Sequence, residues 1–148
     1  MGADTSAQGH RHRLGIPVVC EAVEDTTFFD RMFDAVIAWR LIFLLAAEDQ
    51  RRVIHRVADI LVPGGRLLFT SSAEPLVWND VMTGLESRSL GAAEYRSQLT
   101  AAGLSVVREY EDEGENHYFD TLKIAPADSS ATTMTQLRMR SCESKIMK

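Results

Sequence analysis

The side chains in this sequence that are equipped for chemistry lie in a few places. Glu21-Ala22-Val23-Glu24 follows the apolar run Ile16-Pro17-Val18-Val19-Cys20, and Ala38-Trp39-Arg40 follows Phe33-Asp34-Ala35-Val36-Ile37. Farther along stand Trp78, then His117 and Tyr118 behind an acidic run over residues 109–115. Carboxylates accept hydrogen bonds from hydroxyl and amino groups. An aromatic face attracts a cation by about 0.5–2 kcal/mol. A histidine within reach of a hydroxyl or amine can take its proton. Metal chemistry is not suggested. Cys20 and Cys142 sit far apart in unlike contexts, and neither a disulfide framework nor a zinc-ligand pattern can be built from them. A reduced, cytoplasmic setting is the expectation.

The chain that must position these groups has 148 residues, one domain's length. A formal net charge of −5, with 45% hydrophobic and 25% charged residues, excludes collagen-like, low-complexity and wholly disordered chains. The longest apolar run, residues 41–47, falls far short of the roughly 20 residues a membrane helix needs. The first 15 residues carry His10, Arg11, His12 and Arg13 but no apolar stretch, so no secretory signal is expected. The acidic balance argues against a nucleic-acid backbone as partner. The predicted partner is a small molecule, with no nucleic acid and no membrane.

Hydrophobic periodicity sets out the elements. Residues 1–15 read as a flexible segment. Residues 18–20 predict a short strand, with Pro17 tolerated near its start. Residues 33–39 are apolar without alternation, the pattern of a strand covered on both faces. Over residues 48–62, Val53, Val57, Ile60 and Leu61 share one helical face, Glu48 and Asp49 favour the first turn, and Pro63-Gly64-Gly65 stops the helix. A strand is expected over 66–71, then a long mixed loop over 72–90 with a short helix around 76–82. A loop of that length in a compact domain is more often functional than filler. A helix over 91–102 stops at Gly103, a strand covers 104–110, an acidic turn spans 109–115, and a closing strand covers 117–124. Residues 125–148 read as a disordered tail. Buried strands alternating with helices predict an α/β fold with a mostly parallel sheet over residues 16–124, ending in an antiparallel hairpin.

Three stretches carry a resemblance. Glu24-Asp25-Thr26-Thr27-Phe28-Phe29-Asp30-Arg31-Met32-Phe33-Asp34-Ala35-Val36 resembles the acidic loop and Phe-Asp-X-Val fourth strand of class I S-adenosylmethionine-dependent methyltransferases. Leu61-Val62-Pro63-Gly64-Gly65-Arg66-Leu67 resembles that family's junction before the fifth strand, and Leu99-Thr100-Ala101-Ala102-Gly103-Leu104 its lead into the sixth. The resemblance spans roughly residues 15–124. It implies an incomplete Rossmann-like sheet, because the Gly-X-Gly-X-Gly turn with which the family opens occurs nowhere in this sequence. Gly2-Ala3-Asp4-Thr5-Ser6 is similar to the end of the family's second strand, which would make Asp4 a ribose-binding residue.

The resemblance further implies S-adenosyl-L-methionine as cofactor and methyl transfer to a small molecule. The alternative is a non-catalytic methyltransferase-like fragment that serves as a binding or dimerisation module. In open α/β sheets a ligand lies across the carboxyl ends of the strands. Glu21, Ala22, Val23 and Glu24 would then bracket the adenine, and Ala38 and Trp39 would line the cofactor near its sulfonium. The competing readings are an acidic surface loop for the first four and core packing for Trp39. Arg40 stands where relatives carry a small residue, and a guanidinium there opposes a sulfonium unless it points away. Trp78, His117 and Tyr118 would form the acceptor side, whereas Phe43 reads as core and His55 as structural. An incomplete sheet predicts self-association or a partner that completes it.

Overall fold

The computed structural model describes residues 15–125. Asp4, most of the predicted flexible start and nearly all of the predicted tail lie outside them. Phe33–Ala38 forms β1, preceded by a 3₁₀ turn at Phe28–Asp30 and followed by another at Ile42–Leu44. Helix α1, Ala47–Ile60, buries Val53, Ile54, Val57 and Ala58, one stripe of a 3.6-residue repeat, and keeps Glu48 and Asp49 in its first turn. At its other end the Lys123 Nζ donates to the carbonyls of Ala58 and Leu61 at 2.5 and 2.6 Å. A cation there satisfies carbonyls that the helix leaves without partners.

Strand β2, Leu61–Thr70, starts as the helix ends. Its pairing with β1 is parallel and irregular at the start: Phe33 faces Leu61, whereas Ala35 already faces Arg66. The Pro63-Gly64-Gly65 segment takes up the extra length. Gly64 has φ 82°, a region that disfavours any side chain. A Cβ on Gly65 would stand 2.8 Å from the Val62 carbonyl oxygen and 3.2 Å from that of Asp34. The two glycines therefore let β1 and β2 approach.

A hairpin follows, β3 at Leu76–Asn79 and β4 at Glu86–Ser89. Then come α2 (Ala92–Ala101), β5 (Leu104–Glu111) and β6 (His117–Lys123). The main sheet runs β1-β2-β6-β5, with β6 antiparallel to both neighbours. Both helices contribute to one core against one face of the sheet. In it Phe69 stacks on Phe119 at 4.8 Å and Tyr95 meets both rings edge-on.

The α/β class and the closing antiparallel hairpin stand as expected. Other expectations do not. Residues 18–20 form no strand, since a strand needs a ladder and β1 is the edge of the described sheet. The sheet is mixed rather than mostly parallel, with one parallel pairing, because β6 runs antiparallel to both of its neighbours. Residues 76–82 are not helical: Val77 and Trp78 suit a pleated strand and pair with Arg88 and Ser87. The acidic run is not all turn either, because Glu109 and Glu111 belong to β5.

Gly65→Ala is expected to lower unfolding stability by about 1–3 kcal/mol, as overpacking against fixed backbone does. The measure is the urea midpoint at unchanged m-value; an unaltered midpoint would show that the β1–β2 junction yields without cost.

Candidate active site

The carboxyl ends of β1 and β2 meet the β3–β4 hairpin and the start of β6 at a cleft of about 220 Å³. Its walls include Arg40, Phe43, Ser72, Trp78, Asp80 and His117. Drug-sized pockets run to roughly 300–1,000 Å³, so this one suits a smaller molecule. Phe43 is buried and its ring lies 5.3 Å from that of Trp78. It is thus both core and cleft wall. Asp80 closes the β3–β4 turn: its Oδ2 accepts from the Thr83 N–H at 2.9 Å and the Thr83 hydroxyl at 2.8 Å. The Thr83 hydroxyl, more than the nearby Arg40 charge, holds the Asp80 carboxyl below its ordinary range, so it is ionised at neutral pH.

The floor of the cleft is a buried hydrogen-bond network. The Tyr95 hydroxyl donates to the Gln50 Oε1 at 2.6 Å and meets the Ser71 hydroxyl at 2.8 Å. The Gln50 Nε2 donates to the carbonyls of Leu45 and Arg88, each at 2.9 Å. Five segments converge here: the turn before α1, α1 itself, β4, α2 and the end of β2.

Trp39 stands just beyond β1 with 61% of its surface exposed. That excludes core packing as its role in the described structure. It lines a second cavity of about 280 Å³ with Ile37, Leu68 and Tyr118, and a third of about 380 Å³ with Arg40, Phe43, Leu44, Asp80, Met82 and Thr83. The structure therefore divides the predicted acceptor residues. Trp78 and His117 share the first cleft, while Tyr118 faces Trp39 in the second. Alternation along β6 puts neighbours 117 and 118 on opposite faces. His117 does not aim a free nitrogen at the cleft. Its Nε2 lies 3.0 Å from Glu109 and its Nδ1 3.4 Å from Glu111. Glu109 in turn takes two hydrogen bonds from Arg96 of α2, chief among the causes that hold its carboxyl below the usual range.

Glu21, Ala22, Val23 and Glu24 form an ordered turn. The Asp25 N–H donates to the Ala22 carbonyl at 3.0 Å, and the Thr26 hydroxyl donates to the Glu21 carboxylate. The Arg56 guanidinium clamps the turn to α1 through the carbonyls of Glu24 and Thr26 while lying over the Phe28 ring. Val23 packs against the core. Residues 21–24 line none of the three cavities above. His55 meets Gln98 across the two helices at 3.3 Å, a structural role as expected. The residues that sequence reasoning missed are Asp80 and the Thr70-Ser71-Ser72 run. An Asp three residues before a Thr in a Gly-containing turn, and hydroxyls placed straight after an apolar strand, were the available signals.

Comparison with known proteins points to a family. The methyltransferase domain family matches residues 2–69. The glycine/sarcosine/dimethylglycine N-methyltransferase of Actinopolyspora halophila is 33% identical over 129 residues, which cover 81% of this chain and 22% of that protein. These matches support a class I S-adenosylmethionine-dependent methyltransferase. The chain spans about a fifth of the length of the curated relative it matches. Solved structures show the shared fold. An S-adenosylmethionine-dependent methyltransferase from Clostridium acetobutylicum superimposes with TM-score 0.63 at 11% identity, over 82% of this chain and 71% of that one. The 1,6-didemethyltoxoflavin-N1-methyltransferase of Burkholderia thailandensis, holding its substrate and S-adenosylhomocysteine, gives 0.63 at 15% identity over 80% and 56%. An amino pentose methyltransferase of Micromonospora echinaspora with S-adenosylmethionine bound gives 0.58 at 15% identity over 76% and 67%. Among the described residues, no helix is long and apolar enough to cross a membrane.

Two outcomes follow from this geometry. Tyr95→Phe leaves the Gln50 Oε1 and the Ser71 hydroxyl without their shared partner, and is expected to cost about 1–3 kcal/mol, read as a lower thermal midpoint. A loss under half that figure would mean that water or a neighbour takes over the bond. In the β5–β6 turn, Asp112 accepts from the Asn116 backbone N–H and side chain, the Tyr118 hydroxyl and the Gly114 N–H. The Asn116 backbone bond leads the causes that lower its carboxyl from 3.8 to about 2. A depressed carboxyl supports the turn above its unfolded value and stops doing so as pH falls through the folded one. The amide shifts of Gly114 and Asn116 should be flat above pH 4 and move with a midpoint near 2; a midpoint near 3.8 would refute the network.

Proposed function

We propose that this methyltransferase chain acts in methyl transfer from S-adenosyl-L-methionine to the nitrogen of a small amine, with the acceptor held in the Trp78–Asp80 cleft. The observation that carries the reading is the cleft at the carboxyl ends of β1 and β2, where ligands of open α/β sheets lie, small enough for such a molecule and ionised at Asp80. The relative's printed name, an N-methyltransferase of glycine and its methylated forms, supports nitrogen as the acceptor atom. Trp78 with Phe43, and the Asp80 and Glu115 carboxylates, offer ring faces and negative charge to an amine.

Of the residues expected to hold the cofactor, Trp39 is the one whose placement at a cavity supports the reading. Trp39 turns an exposed ring outward at the end of β1, next to the small buried Ala38, and a ring face attracts a sulfonium. Of the two carboxylates predicted for the adenosyl end, that of Glu21 is engaged by Thr26. That of Glu24 accepts no hydrogen bond and makes no ion pair among the described residues, so Glu24 is the available one. When bound, the cofactor supplies an already activated methyl group. The chain's own part is to position the acceptor and exclude water; Phe43, Trp78 and the buried floor do this.

Titration with S-adenosylhomocysteine by calorimetry tests the reading. The expected result is a dissociation constant below ~100 µM, about 5.5 kcal/mol, weakened several-fold in Trp39→Ala. No detectable heat would overturn cofactor binding by this chain; an unchanged affinity in Trp39→Ala would remove Trp39 from the site.

A further inference from the structure

The third cavity, about 380 Å³, is larger than the cleft of about 220 Å³ beside it, and the two share Arg40, Phe43 and Asp80 as a common wall. That wall is fixed. Arg40 sits in the left-handed region at φ 53°, a conformation that persists where its surroundings hold it. Its N–H donates to the Thr70 Oγ1 at 2.8 Å, which pins the end of β1 to the end of β2, and buried Ile42 and Phe43 anchor the chain just beyond. Arg40 and Asp80 bring one charge of each sign, so the wall carries no net charge. The rest of the lining is Trp39, Leu44, Met82 and Thr83. The Thr83 hydroxyl is engaged with Asp80 at 2.8 Å, which leaves chiefly apolar contact for an occupant.

Met82 belongs to a turn that is complete in itself. The Asp80 N–H donates to the Leu85 carbonyl at 2.9 Å and the Gly84 N–H to the Asp80 carbonyl at 2.7 Å, while the Thr83 N–H donates to the Asp80 Oδ2 at 2.9 Å. A turn whose polar groups satisfy one another has its shape before a ligand arrives, which lowers the cost of binding. What this turn presents outward is apolar: Val81 is 96% exposed and Met82 84%. Trp39, on the same cavity, is exposed as well. Apolar side chains left in water around a concave space, with a few polar groups at one wall, are the marks of a ligand groove. A thioether opposite aromatic rings suits an apolar or aromatic occupant, because it adapts its shape and its sulfur is attracted to ring edges.

We infer that the third cavity receives the apolar body of the acceptor, so that the substrate is an amine bearing a compact aromatic group, its nitrogen in the Trp78–Asp80 cleft and its ring among Trp39, Phe43 and Met82. This deepens the proposed function and rests on that cleft being the acceptor site. The second cavity, which Trp39 also lines, stays open for the cofactor.

The probes are benzylamine and methylamine, which share the amino group and differ in the ring, titrated separately into the full chain at one pH and ionic strength. The Met82 methyl and the Trp39 and Trp78 indole N–H signals report binding. Benzylamine is expected to move all three and methylamine that of Trp78 alone. Burial of the ring should make benzylamine bind tighter by about 10-fold or more. Met82→Ser, a change on an exposed turn, should cut that preference by about 3-fold or more, and Met82→Leu, which keeps an apolar side chain, should retain it. A smaller preference in the wild type, a preference that Met82→Ser leaves intact, or no binding of benzylamine overturns the inference. S-adenosylhomocysteine titrated into the same samples separates the two claims. Its binding alongside equal affinities for the two amines defeats the apolar subsite and leaves the methyl-transfer reading standing. Its absence alongside a Met82-dependent preference for benzylamine does the reverse.

Discussion

The three-residue relay Gln50–Tyr95–Ser71 is the constraint on which the rest of this structure leans. Helices α1 and α2, the β3–β4 hairpin and the end of β2 have little reason of their own to converge at one point. Each meets there because a buried polar atom without a partner costs more than the hydrogen bond itself contributes. Gln50 satisfies two carbonyls and receives one hydroxyl, so its amide is nearly saturated. Moving any participating segment would leave a dry, unpaired group. The cleft above inherits this rigidity. Ser71 and Thr70 are fixed at its base by the relay and by Arg40, and the hairpin that carries Trp78 and Asp80 is tied down through the Arg88 carbonyl. A binding cleft needs fixed walls, and here satisfied hydrogen bonds fix them.

The two faces of the sheet contrast with that order. The face under α1 and α2 is closed by Leu67, Phe69, Phe119, Tyr95 and Leu99. On the opposite face, among the described residues, no helix lies over Ile37, which is 70% exposed, or over the stacked Tyr110 and Tyr118. That face is dressed instead with charge: Arg66 and Arg108 both reach Asp120, and the Arg108 guanidinium lies over Tyr110. The outer edge of β1 likewise has no ladder partner among the described residues. The expectation of self-association or of a completing partner rests on these surfaces, which water would otherwise meet.

What the sequence makes legible follows from how local each signal is. Helix α1 is readable because Val53 and Val57 repeat at its own period; β2 and β6 are readable because apolar residues and turn glycines bound them. Pro63-Gly64-Gly65 misreads as a helix stop: the helix ends at Ile60 and the three residues lie within β2, where Gly65 lets the Asp34 carbonyl come close. Residues 76–82 misread as helix because Leu76, Val77 and Trp78 satisfy either period over so short a run. Their pairing with Glu86–Ser89 decides the matter, and pairing is not written in either segment alone. Val18 and Val19 misread as strand for the converse reason: β propensity describes a fit to a sheet and supplies no neighbour. In the candidate site, Trp39 is legible as an aromatic just after a strand and Trp78 as an aromatic in the long segment after β2. The division of His117 from Tyr118 between two cavities follows from pleat alternation. Gln50 and Tyr95 stand 45 positions apart, and no spacing rule joins them.

Arg40 shows how one residue can change meaning between sequence and structure. In the sequence it is a cation beside the expected place of another cation, the sulfonium, and so counts against the chemistry. In the structure Trp39 and Arg40 leave the same strand end and share the third cavity, but of the two only Trp39 lines the second and only Arg40 the Trp78 cleft. The left-handed turn at Arg40 lets consecutive residues serve different cavities, which an extended pair would achieve only across the sheet. The cleft beside the hairpin is built from described residues on a polar floor that cannot shift without leaving unpaired groups. The second cavity depends on the exposed Trp39 ring beside an open strand edge.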